Sequence, residues 1–272
     1  MKTKEEIVAE LNVRPTIDIQ TEIHKRVNFL VEYSVKTNTN GFVLGISGGA
    51  DSTLAGKLAQ LAVDQMNEHG YNKKFIAVRL PYGEQKDEED AQRALAFIKP
   101  TENVTFNIAS GVNALTQTYG QSMGTAISDF HKGNIKARAR MIAQYAIAGE
   151  NNMLVIGSDH AAEAVTGFYT KFGDGGADIL PLSGLVKSQV RMLLQSLGAE
   201  KILHEKPATA DLLDVKQQQL DEDELGISYD SIDQFLTNPQ ISGTNDQQIR
   251  ERYSITQHKR ELPVTIFDTW WK

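Results

Sequence analysis

The sequence predicts an α/β fold: a doubly wound parallel sheet with helices on both faces. Three observations carry this. Short apolar runs alternate with amphipathic stretches of helical period between positions 17 and 158. The runs are nearly continuous in apolar residues, as strands covered on both faces require. The first run ends in a loop of small residues just before a helix, where parallel sheets place their ligands.

The elements follow in order. Ile19, Ile23, Val27, Leu30 and Val31 recur at helical spacing, so Ile17–Thr37 reads as helix. Gly41–Ile46 reads as strand, Asp51–Glu68 as helix and Lys74–Leu80 as strand. Gln85–Ile98 reads as helix, with acids in its first turn where the helix dipole favours them. Asn103–Ile108 is a strand, Ser128–Gly149 a long helix and Asn152–Ser158 a strand. Thr166–Leu182 is rich in glycine and has no clear period. Leu185–Leu197 reads as helix, and His204–Gly226, with Pro207 and "LDEDELG", as a mobile loop. Short helices follow near Ser228–Leu236 and Asp246–Gln257. No repeat and no linker divides the chain, so one domain over residues 1–272 is expected.

Composition narrows the function. With 28 basic and 35 acidic residues the net charge is −7, which argues against a general affinity for nucleic acid. There are no cysteines, hence no disulfide, no thiolate metal site and no cysteine nucleophile. The N-terminal "MKTKEEIVAELN" is charged and amphipathic, and no window suits a membrane span. A cytoplasmic protein without a membrane partner is expected.

The loop Gly45–Ser52, "GISGGADS", joins strand to helix. A helix N-terminus offers unpaired N–H groups and favours phosphate. Gly48 and Gly49 lack Cβ atoms that would hold an anion off the backbone, and Ser47 and Ser52 add hydroxyl donors. Asp51 would repel phosphate unless a cation intervened, so it implies Mg²⁺. The Walker string G-x-x-x-x-G-K-[ST] is absent, and this loop is not G-x-G-x-x-G.

Ser47–Ser52, "SGGADS", resembles the signature of the N-type ATP pyrophosphatases, which cleave ATP between its α- and β-phosphates. "VRLPYGEQKDEEDA", "GNIKARARM", "GSDHAAEAVTGFYTKFGDGGADILPL", "KPATADL" and "QHKRELPVTIFDTWWK" together resemble one branch, the ammonia-dependent NAD synthetases. The resemblance runs from near the first helix to the last residue. It implies a flavodoxin-like, adenine nucleotide alpha hydrolase-like core. It also implies a homodimer with its dinucleotide site at the interface, Mg²⁺ as cofactor, and ATP, deamido-NAD and ammonia as substrates.

Residue by residue, the resemblance and the local readings give these expectations. Gly45, Ile46, Ser47, Gly48, Gly49, Ala50, Asp51 and Ser52 would hold the ATP phosphates. Arg79, Gln85, Ser158, Lys187 and Thr209 would add ATP contacts, Ser158 standing where the family often has threonine. Glu163 would join Asp51 on the metal. Read alone, Glu163 is a helix-start acid. Arg138, Lys171, Asp178, His258 and Lys259 would bind deamido-NAD. Tyr33 and Tyr145, and more weakly Phe130, would stack on its rings. Asp51, Lys187 and Asp178 are the expected catalytic residues, Asp178 holding and desolvating ammonium. His160 reads as structural. The absence of cysteine separates the chain from glutamine-dependent relatives, whose amidase domain uses a cysteine nucleophile.

Two rivals stand against this reading. A nucleotide-binding module of universal-stress or electron-transfer-flavoprotein type needs neither "SGGADS" nor a second carboxylate. Other ligases of the superfamily want an added domain, as GMP synthetase usually does, or cysteines and a basic RNA surface, as the tRNA thiolation enzymes do.

Overall fold

The computed structural model describes residues 1–272 except 84–87, 208, 211–213, 215–218 and the side chain of residue 210. The chain opens with α1 (Lys4–Glu10) and α2 (Ile19–Lys36). Thr3 and Glu6 close a capping box on α1, and the Asp18 carboxylate accepts the Thr21 N–H at 2.8 Å to start α2. Then β1 (Gly41–Gly45), α3 (Ala50–Glu68), β2 (Lys74–Arg79), α4 (Glu88–Ile98) and β3 (Glu102–Thr105) alternate. Next come α5 (Ala109–Met123), α6 (Asp129–Asn151), β4 (Leu154–Val155) and α7 (Ala161–Thr166). The rest comprises α8 (Lys187–Ser196), α9 (Lys201–Glu205), β5 (Thr209–Ala210), β6 (Gln219–Leu220), α10 (Asp221–Leu225), α11 (Tyr229–Thr237), α12 (Asp246–Ile255) and α13 (Gln257–Arg260).

The main sheet is parallel, in the order β3-β2-β1-β4. The chain winds outward from β1 through β2 to β3, then crosses back to β4 on the other side of β1. The sheet is therefore doubly wound, with its switch point between β1 and β4. Strand period 2 sorts the side chains. Phe42, Leu44, Phe75 and Leu154 pack with α2, α3, α4 and α8 on one face. Val43, Ile76, Val78 and Val155 pack with α5 and α6 on the other. A further apolar cluster joins α1 to the C-terminal helices through Ile7, Val165, Leu225, Phe235 and Ile249.

Several elements depart from the expectation. α5 was not anticipated; its apolar Val112, Leu115, Tyr119 and Met123 recur at helical spacing, but only Val112 is buried. β3 is exposed at all four positions because it is the sheet edge, unlike the buried strand expected there. The last strand is short: after Val155 the backbone pairs through Ile156 with Ile179, so the glycine-rich segment returns to the sheet beside it. His204–Gly226 is not a free loop in its described part. β5 pairs antiparallel with β6, and "LDEDELG" folds largely as α10, its Leu225 buried and Gly226 ending the helix in the left-handed region. Among the described residues no helix is long and apolar enough to cross a membrane.

The turn from β1 to α3 separates its two glycines. Gly48 has φ +86°, and a Cβ there would meet the Ala91 nitrogen at 2.7 Å and the Asp90 carbonyl carbon at 2.8 Å. Its bareness lets the loop lie against the first turn of α4. Gly49, the N-cap of α3, has φ −77°, and a Cβ would meet nothing closer than Ser47 Oγ at 3.4 Å. Gly48→Ala is thus expected to cost about 2–4 kcal/mol, from a left-handed residue plus backbone overlap. Gly49→Ala should cost under about 1 kcal/mol. Urea midpoints of the two variants check this; equal losses would refute it.

Candidate active site

The carboxyl ends of β1 and β4, the start of α3 and the first turns of α7 and α8 surround a cavity of about 420 Å³. Its floor is the β1–α3 loop. Ser52 Oγ lies 3.0 Å from Ser47 Oγ and donates to the Gly49 carbonyl at 3.2 Å, which folds the loop on itself. Ser47 stays exposed to the cavity. Gln144 of α6 accepts the Gly45 N–H at 2.7 Å and fixes where the strand ends.

Four ionisable side chains converge behind that loop. Asp51 Oδ2 pairs with Lys187 Nζ at 2.7 Å. Asp51 Oδ1 lies 3.2 Å from His160 Nε2, and Glu163 Oε1 lies 3.8 Å from the same nitrogen. The His160 side chain is fully buried and that of Lys187 nearly so. Lys187 Nζ also sits over the Tyr229 ring, 4.8 Å from its centroid. The lysine is placed by Asp233 of α11, whose carboxylate accepts the Lys187 N–H at 3.0 Å and the Ser188 N–H at 2.6 Å, capping α8. Tyr229 in turn donates to Asp221 at 3.1 Å.

The charges of this group depend on one another. Burial alone would raise the Asp51 carboxyl, but Lys187 and His160 override it and hold it well below the usual range. Burial pushes the Glu163 carboxyl up to about 8; His160 opposes that rise and repulsion from Asp51 adds to it. Burial opposes the charged form of Lys187, yet Asp51 and Glu163 raise its pKa. Burial likewise opposes charged His160, which Glu163 and Asp51 nevertheless favour. Asp159, next in sequence, is pushed up to about 8 by burial and by the neighbouring Asp174 and Asp51.

The same cluster fits a hard divalent cation. Ligand atoms of Asp51, His160 and Glu163 all lie within 4.8 Å of one another. Among the described residues Asp51 Oδ1 is buried without a hydrogen-bond partner. Two carboxylates lining the cavity suit Mg²⁺, which takes a few carboxylates and completes its shell with water and phosphate oxygens. His160 reads from sequence as structural; here it touches both carboxylates. The signal available was its place three residues before Glu163, at the N-cap of α7.

The structure brings some expected residues together and leaves others apart. Gly45, Ile46, Ser47, Gly49, Ala50, Asp51, Ser52, Ser158, Glu163, Lys187, Thr209 and Lys259 line the cavity, and so does Phe130. Gly48 faces α4 instead, for the packing reason given above. Arg79 does not line the cavity and pairs with Glu88. Gln85 falls outside the described residues. Arg138, Lys171, Asp178, His258, Tyr33 and Tyr145 are not cavity-lining. Three of these form a chain: Arg138 donates to the Lys171 carbonyl at 3.2 Å, and Lys171 Nζ donates to the carbonyls of His258 and Glu261. Lys259 Nζ donates to the Gly167 and Tyr169 carbonyls at 2.8 and 2.7 Å.

Asp178 does not line the cavity. Its Oδ1 accepts the Tyr145 hydroxyl at 3.1 Å and its Oδ2 the Val155 N–H at 2.8 Å, so both oxygens are engaged at the sheet edge. A carboxylate spent in this way is poorly placed to desolvate ammonium. Asp174 is the carboxylate of that segment that lines the cavity, where it accepts the Thr170 N–H at 2.9 Å.

The NAD synthase family model matches residues 22–263. The chain is 58% identical to the NH(3)-dependent NAD(+) synthetase of Bacillus subtilis over 272 residues, the whole of both chains.

The chain belongs to the NAD synthase family.

Among solved structures, an NAD+ synthetase from Burkholderia pseudomallei matches at 46% identity and a TM-score of 0.82, covering 96% of each chain. An NMN synthetase from Francisella tularensis matches at 35% identity and 0.80, covering 93% of this chain and 100% of that one. These matches carry the doubly wound α/β fold across nearly the whole NAD synthase chain described here.

The pH response of the buried cluster can be tested without substrate. Glu163 has a folded pKa raised from 4.5 to about 8. Its contribution to stability is complete below about 4.5 and is lost as pH rises through about 8. In metal-free protein, the melting temperature of Glu163→Gln minus that of the parent should therefore grow by roughly 3–6 °C between about pH 5 and about pH 9. Scanning fluorimetry in chelator measures it; a constant difference would refute the assignment.

Proposed function

We propose that the protein is an ammonia-dependent NAD synthetase, a ligase that forms an amide from deamido-NAD and ammonia at the expense of ATP. The observation that carries this is the small-residue β1–α3 loop with Asp51 beside it, paired with Lys187 and clustered with Glu163 at one cavity. Family membership along the full chain supports it.

In this reading the exposed N–H groups and hydroxyls of Ser47–Ser52 take the β- and γ-phosphates. A nicotinate carboxylate oxygen attacks the α-phosphorus, and the bridging bond to the β-phosphate breaks. Pyrophosphate leaves into the loop. Lys187 lies where charge develops on the phosphates, and its position is fixed in advance by Asp233, so little reorganisation is needed. Mg²⁺ held by Asp51 and Glu163 would neutralise the same charge. Ammonia then attacks the acyl carbon, loses a proton and displaces AMP. Asp174 faces the cavity and is a better-placed carboxylate for the ammonium than Asp178. Asp178, Tyr145, Arg138, Lys171 and His258 belong in this proposal to the dinucleotide side.

A homodimer is part of the same proposal. α5 leaves Leu115, Tyr119 and Met123 exposed, and Ile142 of α6 is exposed as well. Contiguous apolar surface on a helical face supports a partner there. An isologous contact would place a second copy near Arg138 and Tyr145 of the same helix.

The likeness to an NMN synthetase makes the mononucleotide a defined competitor for the acceptor site. The test is one incubation with ATP, Mg²⁺, ammonium and either deamido-NAD or nicotinate mononucleotide, separated by chromatography. NAD and AMP in equal amounts are expected from the first mixture, at a kcat/KM at least about tenfold above the second. Preference for the mononucleotide would reassign the acceptor. ADP as product would overturn the α–β cleavage. In the same assay Asp51→Asn should lower kcat by about 10²–10³.

A further inference from the structure

The helix that carries Glu163 cannot hold itself in place. α7 has six residues, Ala161–Thr166, far fewer than an isolated helix needs to persist in water. Glu163 Oε1 lies 3.8 Å from His160 Nε2, beyond hydrogen-bond reach, so the backbone of α7 sets where the carboxylate sits. Contacts at the two ends of α7 fix that backbone. At its start the Ala161 N–H donates to the Leu185 carbonyl at 2.8 Å, two residues before Lys187. At its end the Ala164 carbonyl belongs to the last turn, whose carbonyls a helix leaves without partners of its own. Arg260 of α13 donates to that carbonyl at 2.9 Å.

Arg260 is held for this contact from several sides. Its guanidinium lies over the Tyr253 ring, 3.7 Å from the centroid, and donates to Thr256 Oγ1 at 3.1 Å and to the Tyr253 carbonyl. Tyr253 in turn donates to Glu10 of α1 at 2.6 Å. Thr256 also closes on the residue that ends α7. Gly167 has φ +62°, and a Cβ there would meet Thr256 Cβ at 2.3 Å. Arg260 does not line the cavity, and these donors go to two backbone carbonyls and a hydroxyl. Its charge strengthens bonds that place backbone.

We infer that Arg260 is a positioning residue for Glu163: through the Ala164 carbonyl it fixes α7, and so sets how strongly the Asp51–Glu163 pair holds a divalent cation. The inference rests on the metal reading of that pair within the proposed function, though not on which acceptor is used. Arg260 touches neither the cation nor the reacting atoms. A small hard cation demands strict ligand geometry, so a slight shift of one carboxylate weakens its grip. The apolar side of α7 is less exacting: Ala161, Ala162 and Val165 are buried in the cluster that joins α1 to the C-terminal helices. Loosening Arg260 should thus lower cation affinity while α7 stays folded.

The test compares Arg260→Gln, Arg260→Lys and Glu163→Gln with the parent, full length, by titration with Mn²⁺ alone, free ion being counted by electron paramagnetic resonance. Arg260→Gln should weaken Mn²⁺ binding about three- to tenfold. Arg260→Lys, which keeps a charged donor, should recover part of the loss. In chelator, the amides of residues 161–168 should exchange hydrogen at least about threefold faster in Arg260→Gln than in the parent. Ile7→Val removes a methyl group from the same apolar cluster and leaves Arg260 in place. It should lower the melting temperature by a few degrees and leave Mn²⁺ affinity within about 1.5-fold of the parent. In turnover, Arg260→Gln should raise the Mg²⁺ concentration for half-maximal rate by the same factor as the Mn²⁺ constant, with kcat at saturating Mg²⁺ changed less than about threefold. Unchanged Mn²⁺ affinity in Arg260→Gln would overturn the inference, as would an equal loss in Ile7→Val, or a parent that binds Mn²⁺ no better than Glu163→Gln. If the parent binds Mn²⁺ but makes no amide from either acceptor, the proposed function fails while the Mn²⁺ comparison still decides the role of Arg260.

Discussion

The contact between Asp51 and Lys187 constrains the rest of the site. A carboxylate and an ammonium taken out of water each lose several kcal/mol of hydration, which pairing recovers only in good geometry. The two residues are 136 positions apart in sequence and meet at 2.7 Å. They meet because three helices point their first turns at one spot. Asp51 stands in the first turn of α3 and Glu163 in that of α7, where the positive end of the dipole favours a carboxylate. Lys187 opens α8, where the same dipole opposes a cation. Asp233 resolves this conflict by placing its carboxylate on the Lys187 and Ser188 N–H groups. It satisfies the free donors and offsets the dipole in one contact, so the lysine can remain charged while nearly buried.

This convergence is a property of the sheet. In a doubly wound sheet the loops on the two sides of the switch point leave in opposite directions, which opens a crevice at the carboxyl ends of the strands. Here the crevice lies between β1 and β4, and the helices that follow them bring Asp51 and Glu163 within 4.8 Å of each other. Lys187 enters because the glycine-rich segment first returns to the sheet at Ile179, directly beside Ile156. Leu182 and Leu185, which follow, are fully buried, so α8 starts at a fixed height above the sheet.

Much of this was legible in the sequence because it is local. The β1–α3 loop is written in consecutive residues whose backbone demands are specific: Gly48 must take φ +86° against α4, and only glycine does so without strain. α2 was readable from its period, and α3 and α6 as helices between the strands. What was not readable depends on neighbours distant in the chain. α5 buries one valine, and its other apolar residues, Leu115, Tyr119 and Met123, stay exposed, so nothing in this chain's core holds its stripe. Nothing local says that Tyr145 and the Val155 N–H would occupy the oxygens of Asp178. His160 was undervalued for the same reason: its worth lies in two carboxylates, one of them 109 positions away. The β5–β6 pairing rests on two residues per strand, too few for any periodicity to show.

The residues outside the cavity also follow a physical rule. A cavity of about 420 Å³ is near the lower end of the range that holds one ligand of nucleotide size. A ligase that joins an adenylate to a dinucleotide needs room for a second substrate beside the first. Arg138 of α6 and Lys171, whose carbonyl accepts from it, lie outside the cavity lining, and Ile142 and Tyr145 of the same helix are exposed. Apolar surface there without a partner carries a cost in water that a second protein surface would remove. The same contact would supply the missing wall for the larger substrate. In the proposed homodimer, the interface and the dinucleotide site would be one requirement: the helix that carries exposed Ile142 also carries Arg138, which does not line the single-chain cavity.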